Sequence, residues 1–378
     1  MQPLPEVLAC RPPRPSTSEP ASPRSVGRRL ALAFSVLLLG LAGCGGTNSG
    51  KGTSKGPLHV VSNLVMAGNH RFIARGVTDY VMPFYADGNS PDPHLAAATA
   101  ANYAERWTAF RAMQSAGINV VRIPLGLPGF VSDIYGLGGT NGYLRRLRLT
   151  VQAAQSVGLR VILCWWDSLG WAGSLPRQYQ SDWTMMASVI RAIGPNPDVI
   201  YEPFNEPNGL DWASWQQVVI STLREWRTHL GYQGPLILDT IDYSWTFSAS
   251  AATAVQAADS QLLGGPPQLV FANHRYPNGS DCLCGSSLNK FEATIGRWVS
   301  KFPLIGTEYG VYSAGYPASD RWMATMLTEV HILDGRGFNG AAVFTWYWID
   351  PNTLTTAPPG PLTTYGRLAQ GYLWQLTG

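Results

Sequence analysis

From residue 57 onward, short apolar or β-branched runs alternate with longer stretches in which apolar residues recur every three or four positions. The runs are Phe72–Asp79, Ile118–Leu125, Arg160–Asp167, Asp198–Glu206, Pro235–Asp242, Gln268–Tyr276, Pro303–Glu308 and Ala341–Trp348, eight in all. Near-continuous apolarity over so few residues is the mark of a strand covered on both faces, as in a parallel sheet. Between runs, Tyr103, Trp107, Phe110 and Met113 fall on one helical face and Gly117 follows as a C-terminal cap. Leu144, Leu147, Val151 and Ala154 repeat the pattern before Gly158, and Trp215, Val219, Leu223 and Trp226 repeat it before Gly231. Helix, glycine, buried strand is the repeat of a βα unit. Eight units over about 320 residues predict a (β/α)8 TIM barrel of class α/β. An open doubly wound sheet is the alternative, but no glycine-rich nucleotide turn follows the first strand. Ahead of the repeat, Leu58–Val61 and Leu64–Met66 around Ser62-Asn63 predict a small N-terminal hairpin.

Residues 1–56 carry no such rhythm. Arg24, Arg28 and Arg29 precede an apolar run from Leu30 to Leu41, which is too short for a stable membrane-spanning helix. Charged region and apolar run together read as an export signal. The run ends in Leu41-Ala42-Gly43-Cys44, which resembles the bacterial lipoprotein box. The resemblance implies a signal over residues 1–44, lipidation of Cys44, and a location at the cell envelope; a plain secretory signal with a chance cysteine is the alternative. Residues 45–56, rich in Gly, Ser, Thr and Lys, read as a flexible tether, leaving 57–378 as the catalytic domain.

Charged residues are 13 % and the net charge is +3, with part of that excess in the leader. No basic stripe points to nucleic acid, and a monomer is expected. Fourteen Trp and sixteen Tyr suit core packing, with those at strand ends able to stack on sugar faces. Of five cysteines, Cys10 and Cys44 belong to the leader, leaving Cys164, Cys282 and Cys284. One disulfide fits an exported protein, with its pairing open. Cys282-x-Cys284 lacks a nearby His or third Cys, so no metal is expected there.

In a (β/α)8 barrel, chemistry collects where strands end. Two strings stand out there: Tyr201-Glu202-Pro203-Phe204-Asn205-Glu206-Pro207 and Pro303-Leu304-Ile305-Gly306-Thr307-Glu308-Tyr309-Gly310. Each closes an apolar run with a carboxylate, and a facing pair of carboxylates is what glycosidic bond cleavage requires. Glu202, four positions earlier, is expected about 13 Å deeper along the strand, as an interior carboxylate with a buried partner.

Asn-Glu-Pro closing the fourth strand, with a glutamate closing the seventh, resembles the clan of retaining (β/α)8 glycosidases. Arg122 in Val-Val-Arg-Ile-Pro, His274-x-Tyr276, Thr307-Glu308-Tyr309-Gly310 and Trp346 narrow the resemblance to glycoside hydrolase family 5, the cellulase and mannanase family, over roughly residues 57–378. The resemblance implies that Glu206 is the general acid/base and Glu308 the nucleophile. It implies that Asn205 contacts a sugar hydroxyl, that Arg122 and Tyr276 hold Glu308 ionised and oriented, that His274 neighbours the site, and that Trp346 lies under the sugar. One departure is visible. The family ends its third strand with a histidine, whereas Cys164-Trp165-Trp166-Asp167 puts Trp166 there, where it could narrow the cleft or add a stacking surface.

The expectation is therefore a retaining endo-type β-glycosidase acting on a β-linked polysaccharide, foremost β-1,4-glucan, with no cofactor. β-Mannanase, exo-β-glucosidase and glycolipid hydrolase are alternatives on the same machinery. A non-catalytic polysaccharide-binding lipoprotein is the alternative of another class.

Overall fold

The computed structural model describes residues 56–79, 103–125, 139–165, 186–276, 293–310, 320–345 and 362–375. The leader with Cys44, the tether up to residue 55, Trp166, Trp346, Cys282 and Cys284 lie outside the described residues.

Eight parallel strands close a barrel. In chain order they are β4 (Ala74–Thr78), β5 (Val120–Leu125), β6 (Arg160–Trp165), β7 (Val199–Glu202), β8 (Leu236–Leu238), β9 (Leu269–Arg275), β10 (Leu304–Tyr309) and β11 (Gly340–Thr345). Each pairs with the next, and β11 pairs back onto β4. The expected eight-stranded barrel is thus the observed one. Its helices include α1 (Tyr103–Ser115), α2 (Gly139–Ser156), α3 (Trp212–Arg224), α4 (Ala249–Leu263), α5 (Asp320–Asp334) and α6 (Thr364–Gln375). Gly117 (φ 87°) and Gly158 (φ 86°) take the left-handed conformation that ends α1 and α2, as their place after the helical pattern predicts. Among the described residues no helix is long and apolar enough to cross a membrane.

The N-terminal hairpin, β1 (Leu58–Val61) and β2 (Leu64–Ala67), gains a short third strand, β3 (His70–Arg71). It covers the amino-terminal end of the barrel. Val60 N–H donates to Gln268 Oε1 (2.8 Å) and Val65 N–H to Asn339 Oδ1 (2.8 Å), both residues just ahead of barrel strands. Leu58, Val60, Val65, Ala67 and Phe72 pack on the inward side chains Val120, Ile162, Ile200, Ile237, Val270 and Ile305. Side chains alternate along a strand, so Val121, Val161, Val199, Leu236, Leu269 and Leu304 face the helix layer instead.

Two positions beyond the apolar inner layer the inward residues become Arg122, Cys164, Glu202 and Asp239, and on β9, two positions beyond Ala272, His274, all fully buried, with Thr307 completing the ring. The barrel therefore carries an apolar floor, plugged from below by the hairpin, and a polar layer above it.

Strand ends differ from the sequence pattern at two places. The fourth run stops at Glu202, because Pro203 has no N–H to continue a ladder. Glu206 then adopts φ 47°, which turns the chain back over the barrel. The fifth run stops at Leu238, since Asp242, Tyr243 and Ser244 follow with φ of 54°, 56° and 59°. Three consecutive left-handed L-residues cannot lie in a strand, and each costs about 1–2 kcal/mol. Asn273 Nδ2 holds this turn by donating to Ser244 O (2.8 Å), and Tyr309 Oη donates to Asn273 Oδ1 (3.1 Å).

Candidate active site

The polar layer converges on Arg122. Its Nε donates to Glu202 Oε2 (2.6 Å) and Nη2 to Glu202 Oε1 (3.1 Å), a fork-on-fork pair with both partners fully buried. Nη2 also reaches Asn205 Oδ1 (2.6 Å) and Cys164 Sγ (2.9 Å), and Nη1 reaches Glu308 Oε1 (2.5 Å). One guanidinium thus spans the interior Glu202 and the rim Glu308. The partnership expected for Glu202 and the contact expected for Arg122 with Glu308 both exist, on different nitrogens.

Glu308 ends β10 through a bulge. Gly306 pairs with Asn273 and Glu308 with the next residue, His274, so Thr307 is the extra residue. A bulge re-aims the side chains that follow it. Here Thr307 is left facing His274 and Glu308 is turned toward Arg122 and Tyr276. Tyr276 Oη donates to Glu308 Oε2 (2.9 Å). Glu308 is 6 % exposed, and Arg122 and Tyr276 between them cover both carboxyl oxygens.

Glu206 faces Glu308. One oxygen of each, together with a nitrogen of His274, lies within a mutual 4.8 Å. The Glu206 side chain is 22 % exposed, open to the cleft where Glu308 is sealed. Burial pushes the Glu206 carboxyl above the usual carboxylate range, and the charge of Glu308 adds to the rise against the opposing pull of His274. Two neighbouring carboxyls whose surroundings push their proton affinities apart are the arrangement from which acid and base roles arise.

His274 is shared between the two depths. Its Nδ1 lies 2.7 Å from Glu206 Oε1 and 3.6 Å from Glu308 Oε2, while its Nε2 lies 2.9 Å from Thr307 Oγ1 and 3.5 Å from Asp239 Oδ2. Burial opposes charge on this ring, but Glu308, Asp239 and Glu206 raise it to about 9. The separation of about 13 Å expected between the levels of Glu202 and Glu206 presumes an extended strand, and the strand ends at Glu202. A single imidazole neighbours both Glu206 and the Glu202–Asp239 pair.

Asn205 is fully buried, with Oδ1 on Arg122 and Nδ2 without an acceptor among the described residues. Cys164 is a buried free thiol under the guanidinium. Trp166 and Trp346 cannot be placed against these residues, since they fall outside the described ones. Asp239 and Thr307 belong to the cluster although the sequence reading, which placed both at strand ends, gave neither a role. A signal existed: Asp239 lies two positions after the inward Ile237, in the same relation as Glu202 to Ile200 and Arg122 to Val120.

Two triads bring one ligand-type atom each within 4.8 Å, Glu202/Asp239/His274 and Glu206/His274/Glu308. Both need His274, whose two ring nitrogens already serve Glu206 and Thr307. The donor set is one that shares protons, with Arg122 and His274 supplying the positive charge.

No curated relative matches the sequence. Among solved structures, a β-mannanase from Streptomyces thermolilacinus with mannohexaose is similar at TM-score 0.61 and 19 % identity, covering 85 % of this chain and 96 % of that one. A Thermomonospora fusca β-mannanase with mannohexaose matches at TM-score 0.59 and 18 % identity, covering 82 % and 93 %. The catalytic domain of Thermobifida fusca endoglucanase Cel5A matches at TM-score 0.59 and 17 % identity, covering 84 % and 97 %. These likenesses show the barrel fold. The model of the Cellulase family, glycosyl hydrolase family 5, matches residues 92–350, about two thirds of the chain. The chain belongs to glycosyl hydrolase family 5 and is a glycoside hydrolase.

Proposed function

We propose that the protein is a retaining endo-type β-glycosidase of β-linked polysaccharides, foremost β-1,4-glucan. The observation that carries this reading is the pair Glu206 and Glu308, with oxygens within 4.8 Å, one carboxyl half-open and proton-holding, the other gripped by Arg122 and Tyr276. Oxygens this close support the roughly 5–5.5 Å carboxyl spacing of a double displacement over the wider gap of a single one.

Glu308 attacks the anomeric carbon as the bond to the leaving oxygen breaks, and the Glu206 proton passes to that oxygen. A glycosyl ester on Glu308 results, and the cut chain departs. Glu206, now a carboxylate, takes a proton from water, the water oxygen bonds to the anomeric carbon, and Glu308 is released. His274 Nδ1 on Glu206 Oε1 leaves Oε2 to carry the acid proton. Asn205 Nδ2 is the donor for a sugar hydroxyl. No step calls on a cofactor.

β-1,4-Mannan is the second reading, favoured by the mannohexaose-bound β-mannanases among the similar structures. Release of reducing ends from cellulosic, mixed-linkage glucan, xyloglucan, xylan and mannan substrates separates the two. Activity on one polymer, lost in Glu308→Ala, supports the reaction and names the substrate. Inactivity on every polymer overturns the polysaccharide reading and moves the assignment to small aryl β-glycosides or glycolipids.

The same proposal places the enzyme at the cell envelope through a lipid on Cys44, supported by Arg24, Arg28, Arg29, the Leu30–Leu41 run and Leu41-Ala42-Gly43-Cys44. Fatty-acid labelling that survives in Cys44→Ala would overturn it.

A further inference from the structure

Among the described residues, four carboxyls, Glu202, Glu206, Asp239 and Glu308, meet two cationic groups, Arg122 and His274, in one buried cluster. Buried like charges at this spacing cannot all be ionised, and each unbalanced one costs several kcal/mol of desolvation (about 3–5 when a partner is missing). Charge balance among these described groups then leaves two of the four holding protons. One is Glu206, on the reading of its role given above. The partners identify the other. Glu202 takes the fork of Arg122 at 2.6 and 3.1 Å, and Glu308 takes Arg122 at 2.5 Å and Tyr276 at 2.9 Å.

Asp239 has no comparable partner. Its Oδ2 accepts the backbone N–H of Glu206 (2.7 Å), and His274 Nε2 stands at 3.5 Å, already engaged by Thr307 at 2.9 Å. Its Oδ1 is buried and meets no N–H or O–H among the described residues. The group it faces is the carboxyl of Glu202, with one oxygen of each within 4.8 Å. Two carboxyls in contact require a shared proton.

We propose that Asp239 carries a resident proton, donated to Glu202, and that this neutral carboxyl is a positioning residue that holds the left-handed backbone of Glu206. The charged and titratable groups facing it are Glu202 from β7, Glu206 beyond it, Arg122 from β5, Cys164 from β6, His274 from β9 and Glu308 from β10. Burial and Glu202 push Asp239 well above the usual carboxylate range against the opposing pull of His274 and Arg122, while at Glu202 burial is outweighed by the charge and hydrogen bonds of Arg122 together with Asp239 and His274, which hold it below that range. Carbon-backbone geometry fits the role. Glu206 sits at φ 47°, a conformation an L-residue keeps only under external constraint, and the Asp239 side chain supplies one. Asp239 is itself pinned, because Trp215 Nε1 on α3 donates to its carbonyl (2.8 Å). The acid/base is thus braced from below by a protonated acid that takes no part in bond making.

Two measurements test this on the full chain. Asp239→Asn keeps a neutral group with an acceptor for Glu206 N–H and a donor for Glu202; Asp239→Ala removes both. The expected result is that Asp239→Ala lowers kcat by about tenfold or more with little change in KM, that Asp239→Asn restores most of the loss, and that the basic limb of the kcat/KM profile stays in place in the Asn variant. A basic limb displaced downward by about one pH unit or more in Asp239→Asn would mean that an ionised carboxylate had been removed, and would overturn the proposal. Equal loss in Asn and Ala would overturn it as well. The second measurement needs no change at Asp239. In Glu206→Gln at neutral pH, infrared spectroscopy should still show the carbonyl stretch of one buried carboxylic acid, and its absence would overturn the proposal even if both Asp239 variants fail to fold. Lack of glycosidase activity in the unmodified enzyme would instead sink the functional reading, leaving the infrared result to stand alone.

Discussion

His274 and Glu206 are joined ring nitrogen to carboxyl oxygen, Nδ1 to Oε1 at 2.7 Å, across 68 positions of sequence. The ring is fully buried and its other nitrogen is tied to Thr307. This contact sets which oxygen of Glu206 faces the cleft, and its energy depends on the charge state of the ring.

A pH window for stability follows from that contact. His274 is raised to about 9 in the folded protein, whereas in the unfolded chain it returns to about 6.5. A raised basic group stabilises the fold below its unfolded value and loses that contribution as pH rises through its folded value. Thermal midpoints of the unmodified protein and His274→Gln should therefore differ most below about pH 6.5 and converge toward pH 9. A gap that stays constant from pH 6 to pH 10 would show that the ring is neutral throughout.

If Glu206 and Glu308 act as proposed, the two carboxyls should respond differently to the leaving group. Glu308→Ala should lower kcat by about 10⁴-fold or more on every substrate while still binding oligosaccharide. Glu206→Gln should lose about 10²–10⁴-fold on natural linkages, yet keep most of its glycosylation rate on aryl glycosides with acidic leaving groups, which need little protonation. Equal loss of Glu206→Gln on good and poor leaving groups, measured by initial rates, would contradict the acid role.

Retention of configuration is expected from the close pair of carboxyls. Proton NMR of the first product formed should show the β-anomer ahead of mutarotation. Initial appearance of the α-anomer would point to a single displacement and would require the two carboxyls to stand farther apart than they do here.

Arg122 holds two buried carboxylates at once, so its removal should cost more than one ion pair. Arg122→Met leaves Glu202 without its partner, and a loss of about 3–5 kcal/mol is expected in urea unfolding. In Arg122→Met/Glu202→Gln much of that loss should return, because no buried charge is then orphaned, while activity should stay low for want of the contact to Glu308. Stability unchanged in the single variant would show that the pair is dispensable to the fold.

Gly306 marks the start of the bulge that aims Glu308. A Cβ there would stand 2.7 Å from the Tyr309 ring and 3.2 Å from Ala341 Cβ. Gly306→Ala should destabilise the protein by about 1–3 kcal/mol. It should also depress kcat, since Tyr309 supports Asn273 and, through it, the left-handed turn at Asp242–Ser244. Full activity and an unchanged melting temperature would mean that the ring shifts freely.

Much of this was visible along the chain. Each barrel strand announced itself by an unbroken apolar run, and the ends of α1 and α2 by Gly117 and Gly158 after a helical face, because both signals are local. Glu206 and Glu308 were visible for a related reason: each closes an apolar run, although Glu308 alone lies within its strand and Glu206 follows the end of β7. The ends of the fourth and fifth strands were misjudged, since apolar character continues past Glu202 and Leu238 while the backbone turns. The left-handed conformation of Glu206 and of Asp242 to Ser244 has no glycine to advertise it.

Alone, then, the sequence determined the barrel, its N-terminal hairpin and the pair of carboxylates, because alternation, helical period and strand termini are properties of neighbouring residues. Only the tertiary structure decided that Arg122 spans Glu202 and Glu308, that His274 serves Glu206 and Thr307 together, and that Asp239 lies against Glu202 under the acid/base. Those relations join residues on different strands. Their distances come from barrel closure, from the bulge at Thr307 and from the turn after Pro203, and the resulting count of charges in a buried volume exists only once the strands have met.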